Sequence, residues 1–188
     1  NALYALDGAA FDSGTANQQR NLHAASGWGG AGYTGPRAAA PFAILDTVYQ
    51  AYNLVLSAEP NASFPALDLF WSANNRVGDS SCSVDRASIA TGVICTTFFL
   101  PPVANPSASR PDAGIYVLGS ANDDSDEFDR HVIAHEWGHY YQASFSRDDS
   151  VGGSHAGNDR LDMRLAFSEG WGNAFSAMVL DDPVYRDS

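Results

Sequence analysis

Hydrophobic positions recur with the period of an α-helix in one long segment near the start of the chain, and two further helices are predicted in its second half. Over residues 38–57 the apolar side chains fall on one helical face, and Pro41 fits the first turn of such a helix. An acidic stretch followed by apolar faces predicts a second helix over about 125–145, and a third is predicted over about 162–180, where Asp181-Asp182-Pro183 ends it. A helical framework therefore accounts for the first-helix segment and most of the second half of the chain.

Shorter apolar runs, bounded by Gly, Pro, Asn and Asp, predict strands. They cover residues 66–71, 93–100 and 114–118, and only a weak strand signal lies around 3–6. The order is an irregular start, a helix, strands, a helix, a loop and a helix. This order indicates an α+β fold.

The length of 188 residues favours one domain with a core of its own. We expect an irregular N-terminal segment over 1–35, a sheet lobe over 36–145 that includes the second helix, and a loop with the third helix over 146–188. The chain starts at Asn1 and has no signal-peptide pattern, and it ends soon after the third helix. We therefore expect a processed or excised start, and either a vestigial C-terminal region or a chain that is a piece of a longer precursor.

The charge balance excludes several classes of protein. Asp and Glu total 22 against 10 basic residues, a net charge of −12, which disfavours binding to nucleic acid or an anionic membrane surface. All ten basic residues are Arg, so Schiff-base, Ser–Lys and P-loop chemistry are excluded because each needs a Lys. No apolar run is long enough to cross a bilayer.

Two cysteines, Cys82 and Cys95, lie thirteen positions apart around a stretch that reads as a turn. This spacing suits a hairpin closed by a disulfide, and two buried free thiols are the alternative. An acidic chain rich in Asn, Ser and Gly is typical of a secreted protein.

The segment from His135 to His139 reads His-Glu-x-x-His. On a helix the two histidines are i and i+4, so both imidazoles can converge on one metal ion. Glu136 is poorly placed to ligate that ion, but it can reach a metal-bound water as a general base. Nitrogen ligands and an open position predict Zn²⁺. Asp124 and Glu127 predict a capping box at the start of this helix, and the surrounding apolar residues argue against a solvated face.

A third protein ligand is needed, and Glu169 is the best candidate. A third His six residues after the second is absent, because Phe145 stands there. Glu169 is the only Glu after the motif, and its Phe, Gly and Trp neighbours predict a close-packed helix surface. A surface carboxylate is the alternative role for Glu169, and Asp162 or His155 would be the next ligands to consider.

His-Glu-Trp-Gly-His followed by Glu-Gly-Trp-Gly-Asn resembles the gluzincin metallopeptidases, the clan of thermolysin and the fungalysins. In fungalysins the third-ligand helix reads Glu-Gly-Trp-Ser-Asp. The resemblance implies a zincin-like fold: a mixed-sheet lobe with the active-site helix, and a helical C-terminal lobe that is short here. It also implies that Asn173, in place of the family's Asp, accepts a hydrogen bond from His135 without adding a charge.

An oxyanion donor besides zinc is expected in such a site. His155 lies in the loop where thermolysin-like enzymes carry a donor Tyr, although a mobile surface histidine is the alternative. Tyr140 and Tyr141 are further candidates, but their apolar setting favours the core. His131 lies one turn before His135, and we expect it on the helix surface.

Acidic residues flank the second helix on both sides. Such loops can hold Ca²⁺, but no EF-hand pattern is present, and solvated surface with helix capping is the other interpretation. The residues concerned are Asp123, Asp124, Asp126, Glu127, Asp129, Asp148, Asp149, Asp159 and Asp162.

The sequence therefore predicts a zinc metallopeptidase that hydrolyses peptide bonds, with Glu136 as the base. An extended peptide substrate could add to a strand edge, either near Leu100 or along 114–118. The alternatives are a catalytically silent, secreted binding module that zinc stabilises, and a metallohydrolase acting on a substrate other than a peptide.

Overall fold

The computed structural model describes residues 4–79, 84–121, 124–153, 155 and 159–187. Four helices and three strands lie within these residues, so the expected α+β class is confirmed. In chain order they are α1 Ala40–Ala58, β1 Leu69–Trp71, α2 Arg86–Ala90, β2 Phe98–Leu100, β3 Gly114–Val117, α3 Arg130–Phe145 and α4 Met163–Leu180. No helix in the described part of the chain is long and apolar enough to cross a membrane.

Helix α1 forms where the hydrophobic period predicts it, with Pro41 in its first turn. Its buried residues are Ala40, Ile44, Thr47 and Ala51, which follow one face of the helix. Ile44 and Ala51 join the hydrophobic core that also contains Ile133 of α3. The first helix therefore covers one side of the motif helix.

The three strands form one mixed sheet in the order β1-β3-β2. β1 pairs with β3 in parallel and β2 pairs with β3 antiparallel, with Leu69 opposite Ile115 and Phe98 opposite Tyr116. All four residues of β3 are buried, as expected for a central strand. The prediction that 114–118 offers a free edge is therefore wrong, and β2 lies at an edge.

Two local predictions fail around the sheet. The stretch read as a turn contains helix α2, which Asp85 caps through a reciprocal bond pair with Ser88. Residues 4–6 form no strand. Cys82 lies outside the described residues, so its pairing with Cys95 stays a prediction.

The predicted capping box before α3 is also wrong. The helix begins at Arg130, and Glu127 lies upstream of it with its side chain fully buried. Arg37 forms an ion pair with Glu127, and Trp71 Nε1 donates to Glu127 Oε2 over 3.3 Å. Arg37 also donates to the carbonyl of Gly119. A buried carboxylate needs a charged partner, and Arg37 supplies it. Because Arg37 precedes α1 and Trp71 lies in β1, Glu127 links the chain before α1 to the sheet.

Helices α3 and α4 pack antiparallel and very closely. Trp137 of α3 stacks on Phe175 of α4 with ring centroids 5.3 Å apart, and Trp171 Nε1 donates to the carbonyl of Gly138 over 2.9 Å. A Cβ added at Gly138 would lie 3.4 Å from the Cα of Gly172. The two glycines therefore set the short distance between the helices that carry the candidate ligands.

Candidate metal centre

The two motif histidines face each other along α3, as their spacing predicts. His135 Nε2 lies 2.9 Å from His139 Nε2, with the rings nearly perpendicular. Both side chains are largely buried, at 9% and 13% exposure. The helix therefore brings two imidazole nitrogens to one point.

Helix α4 brings Glu169 to the same point. Its Oε2 lies 3.1 Å from His135 Nε2, and its Oε1 lies 3.7 Å from His139 Nε2. The structure thus places the predicted third ligand beside both histidines, although it is far from them in sequence. Asp162, the alternative ligand, caps the start of α4. Its carboxylate accepts a hydrogen bond from the Arg164 N–H and forms an ion pair with the Arg164 side chain.

The orientation of His135 is set by Asn173. The amide oxygen of Asn173 lies 2.9 Å from His135 Nδ1. Because this oxygen can only accept, His135 Nδ1 carries the proton and its Nε2 is left with a lone pair. Asn173 therefore lies where the family resemblance expects it.

The orientation of His139 is set by a pair of residues that the sequence analysis missed. Ser168 Oγ lies 3.2 Å from His139 Nδ1 and donates in turn to Gln142 Oε1 over 3.2 Å. Since the hydroxyl proton points to Gln142, its oxygen accepts from His139 Nδ1. One signal was available: Ser168 directly precedes Glu169, and Gln142 follows His139 by one helical turn.

This arrangement fits a bound cation. Two Nε2 lone pairs 2.9 Å apart repel each other, and a carboxylate adjoins them. Burial lowers the pKa of His135, but its hydrogen bond to Glu169 and the charge of Glu136 outweigh this and raise it, so a proton on Nε2 also relieves the repulsion. For Glu169 burial acts in the opposite direction and raises the pKa. Its hydrogen bonds to the two histidines outweigh burial and depress the pKa strongly. Two nitrogens and one oxygen fit the donor set of a catalytic zinc site, which keeps a position open.

Glu136 lies beside the ligands and is buried. One of its carboxylate oxygens lies within 4.8 Å of a ring nitrogen of both His135 and His139. Its Oε2 accepts the backbone N–H of Phe99, in β2, over 2.7 Å. Burial raises the pKa of Glu136, opposed by the histidines and by the Phe99 N–H. The raised pKa makes this carboxylate a better proton acceptor than an ordinary glutamate, next to the candidate ligands.

His155 reaches the same centre from the loop between α3 and α4. Its Nε2 lies 3.3 Å from Glu169 Oε2, and its Nδ1 lies 3.0 Å from the carbonyl of Gly153. Gly152 and Gly153 both have positive φ, which a glycine adopts without strain. The side chain is 31% exposed, so it lies at the open side of the site.

The other candidate donors lie elsewhere. Tyr140 donates its hydroxyl to the carbonyl of Pro65, and Tyr141 stacks on Trp137. Both belong to the aromatic packing around α3, as their apolar setting favours.

The expectation that His131 lies on the helix surface is wrong. It is 4% exposed, and its Nδ1 lies 3.4 Å from Ser176 Oγ. Helix α4 and the segment after it cover this face of α3. Tyr185, which sequence reasoning missed, packs there, with its ring 5.5 Å from that of His131 and 6.0 Å from that of His135.

Only part of the acidic set comes together. Asp124 and Asp126 lie next to Asp187, which the sequence analysis did not consider. Glu127 is used by Arg37, and Asp162 caps α4. Asp123 lies outside the described residues.

Comparisons with family models, with curated proteins and with solved structures find no match to this chain.

Proposed function

We propose that this chain is a zinc metallopeptidase of gluzincin type with a zincin-like fold. One observation carries the proposal: the Nε2 lone pairs of His135 and His139 and the carboxylate of Glu169 converge, with the buried carboxylate of Glu136 beside them. The other ring nitrogen of each histidine, Nδ1, donates a hydrogen bond to a fixed acceptor, an arrangement typical of metal ligands. A surface group of two histidines and a glutamate would need neither feature.

In this proposal His135, His139 and Glu169 hold the ion. When bound, zinc would supply Lewis acidity that acidifies a water and polarises the scissile carbonyl. Glu136 accepts the proton of the attacking water and later delivers it to the leaving amine. Burial supports this role because it raises the pKa of Glu136. His155 is the proposed donor to the developing oxyanion, because it lies at the open side of the ligand set.

The edge strand β2 is the proposed platform for a peptide. Phe99 lies in β2, and its N–H donates to Glu136 rather than to β3. The outer edge of β2 therefore passes directly beside the proposed base. An extended substrate that pairs with this edge would bring its scissile bond to the metal-binding point.

The test is Glu136→Gln. Gln keeps the size of the side chain and an acceptor for the Phe99 N–H, but it cannot take the water's proton. We expect hydrolysis of a fluorogenic peptide to fall by about 10²–10⁴-fold or more, with zinc content unchanged. Glu59→Gln, at an exposed glutamate after α1, is the matched control and should keep wild-type activity.

Near-normal turnover of the Glu136 variant would overturn the mechanism. A wild-type chain that binds zinc stoichiometrically but hydrolyses no peptide in a diverse library would favour the silent binding module. Activity that is lost with a chelator and restored by zinc ties the reaction to the ion.

A further inference from the structure

A second cluster of possible ligands lies apart from the histidine centre and consists of carboxylates alone. Asp124 and Asp126 come from the segment before α3, and Asp187 comes from the segment after α4. One carboxylate oxygen from each lies within 4.8 Å of the others. Three like charges at this separation repel each other strongly unless something neutralises them.

Asp126 supplies an independent sign of a missing partner. The residue is only 3% exposed, and Thr97 donates its hydroxyl to Asp126 Oδ2. The other oxygen, Oδ1, is buried and has no hydrogen-bond partner. A buried, unsatisfied carboxylate oxygen is costly, so native structures seldom contain one without an ion or water to bind it.

The surrounding charges agree with this picture. Burial and the charges of Asp124, Asp187 and Asp129 together raise the pKa of Asp126 to about 7, against the Thr97 hydrogen bond, which lowers it. Burial and the charges of Asp124 and Asp129 also raise the pKa of Asp187. The charged neighbours acting on both groups are carboxylates, so the cluster is electrostatically unfavourable by itself.

We propose that Asp124, Asp126 and Asp187 bind a calcium ion. Oxygen-only ligands select a hard cation and disfavour zinc, which prefers nitrogen and sulfur. Mg²⁺ is usually held by one or two carboxylates with several waters, whereas Ca²⁺ accepts three carboxylates and completes 6–8 ligands at about 2.3–2.6 Å. The proposal does not depend on the proposed peptidase function.

Such an ion would fasten the C-terminal segment to the start of α3. Asp187 follows Tyr185, whose ring packs against His131 and His135, and Asp182 Oδ2 lies 3.9 Å from His131 Nε2. Calcium would thus join the two segments that cover this face of α3. Its binding should stabilise the folded protein, because the ligands are separated in the unfolded chain.

The experiment is a thermal-unfolding titration of the zinc-loaded protein with CaCl₂, with MgCl₂ and NaCl at matched ionic strength as controls. We expect a dissociation constant of about 0.1–1 mM for calcium, the range of extracellular calcium modules, so the unfolding midpoint should begin to rise at that concentration. At ten times that concentration the midpoint should rise by about 3–6 °C. The rise should persist in Glu169→Ala, which separates this ion from the zinc centre.

Asp187→Asn is the deciding variant, because the residue is exposed and its change leaves the core intact. Asp187→Asn and Asp126→Asn, made separately, should each abolish the calcium-dependent rise of the unfolding midpoint. Asp148→Asn removes the same charge from an exposed loop position and should keep the rise. The proposal is overturned if the wild type shows no calcium-specific rise, or if Asp187→Asn retains it.

Discussion

The two candidate metal-binding clusters of this chain differ in how their side chains are held. In the histidine centre, the Nδ1 atoms of His135 and His139 each donate a hydrogen bond to a fixed acceptor. The two rings are therefore oriented without an ion. In the acidic cluster, Asp126 has a buried oxygen with no partner. The first arrangement suits an ion that demands a defined geometry, and the second suits an ion that tolerates irregular oxygen ligands.

The difference also shows what a sequence pattern can carry. The two histidines are one helical turn apart, so their convergence follows from the period of α3 alone. Asp126 and Asp187 meet only because the segment after α4 returns to the start of α3. No local pattern contains that information.

The largest effect is expected from a substitution that removes a candidate ligand of the histidine centre. Glu169→Ala removes the only oxygen ligand and should lower zinc affinity by more than the roughly 10–100-fold that a hydrogen-bonding partner of a ligand is worth. Peptidase activity should disappear with the zinc. Metal analysis after dialysis against a zinc buffer measures this, with Glu59→Ala as the matched control. Full zinc occupancy in the Glu169 variant would point to another third ligand, and His155 is the nearest one.

The second prediction separates catalysis from metal binding within the same centre. His155→Ala should lower kcat by about 10²–10³-fold, the usual cost of one oxyanion donor, while zinc content stays constant. His23→Ala, at an exposed histidine of the N-terminal segment, should leave kcat unchanged. If His155→Ala changes kcat by only a few-fold, the imidazole beside Glu169 takes no part in the reaction.

The third prediction tests the support given to His139. Ser168→Ala removes the acceptor of His139 Nδ1 and should weaken zinc binding by about tenfold, the lower end for such partners. Ser176→Ala is the matched control, because Ser176 is also a buried serine of α4 but adjoins His131, which is no ligand. Competition with a chromophoric chelator measures both affinities, and equal losses would show that packing rather than orientation is responsible.

The smallest expected effect is a pH dependence that belongs to the acidic cluster. The pKa of Asp126 is raised to about 7 from an ordinary value of 3.8, mainly by burial and then by Asp124, Asp187 and Asp129 against the Thr97 bond. The folded state therefore holds this proton more tightly than the unfolded state. Its contribution to stability is full below about pH 4 and is lost as the pH rises to about 7.

Urea unfolding without added calcium, at pH 5 and at pH 7.5, measures this contribution. The free energy of unfolding of the wild type, relative to Asp126→Asn, should fall between the two pH values because the variant cannot titrate there. Calcium should reverse the fall at pH 7.5. A difference that stays flat or increases with pH would contradict the assignment.

Helices α1 and α4 could be located from the sequence, because Pro41 and Asp162 mark their starts, whereas α3 begins at Arg130 rather than at about 125 and α2 was not predicted. The ends of the strands could not be located. Residues 66–68 and 93–97 continue the apolar runs, but they lie outside β1 and β2 because strand pairing with β3 decides where a strand ends.

Sequence alone could single out the candidate residues of the histidine centre. One motif gives His135, Glu136 and His139, and the scarcity of glutamate points to Glu169. The sequence could not identify Glu127 as a buried ion-pair partner, since Arg37 is remote in sequence. A capping box and a buried ion pair use the same residue type, and only the tertiary fold distinguishes them.

The close contact of Gly138 with Gly172 has a consequence for how this site can diversify. The spacing of the two helices is fixed by the backbones themselves, so the metal ligands are independent of the loop that joins α3 to α4. Doubling the length of such a loop costs only about 0.6 kcal/mol in closure entropy. The loop can therefore vary in length on either side of His155 without moving the proposed ligands. The proposed metal ligands and the loop that would meet a substrate thus belong to different parts of one helical hairpin.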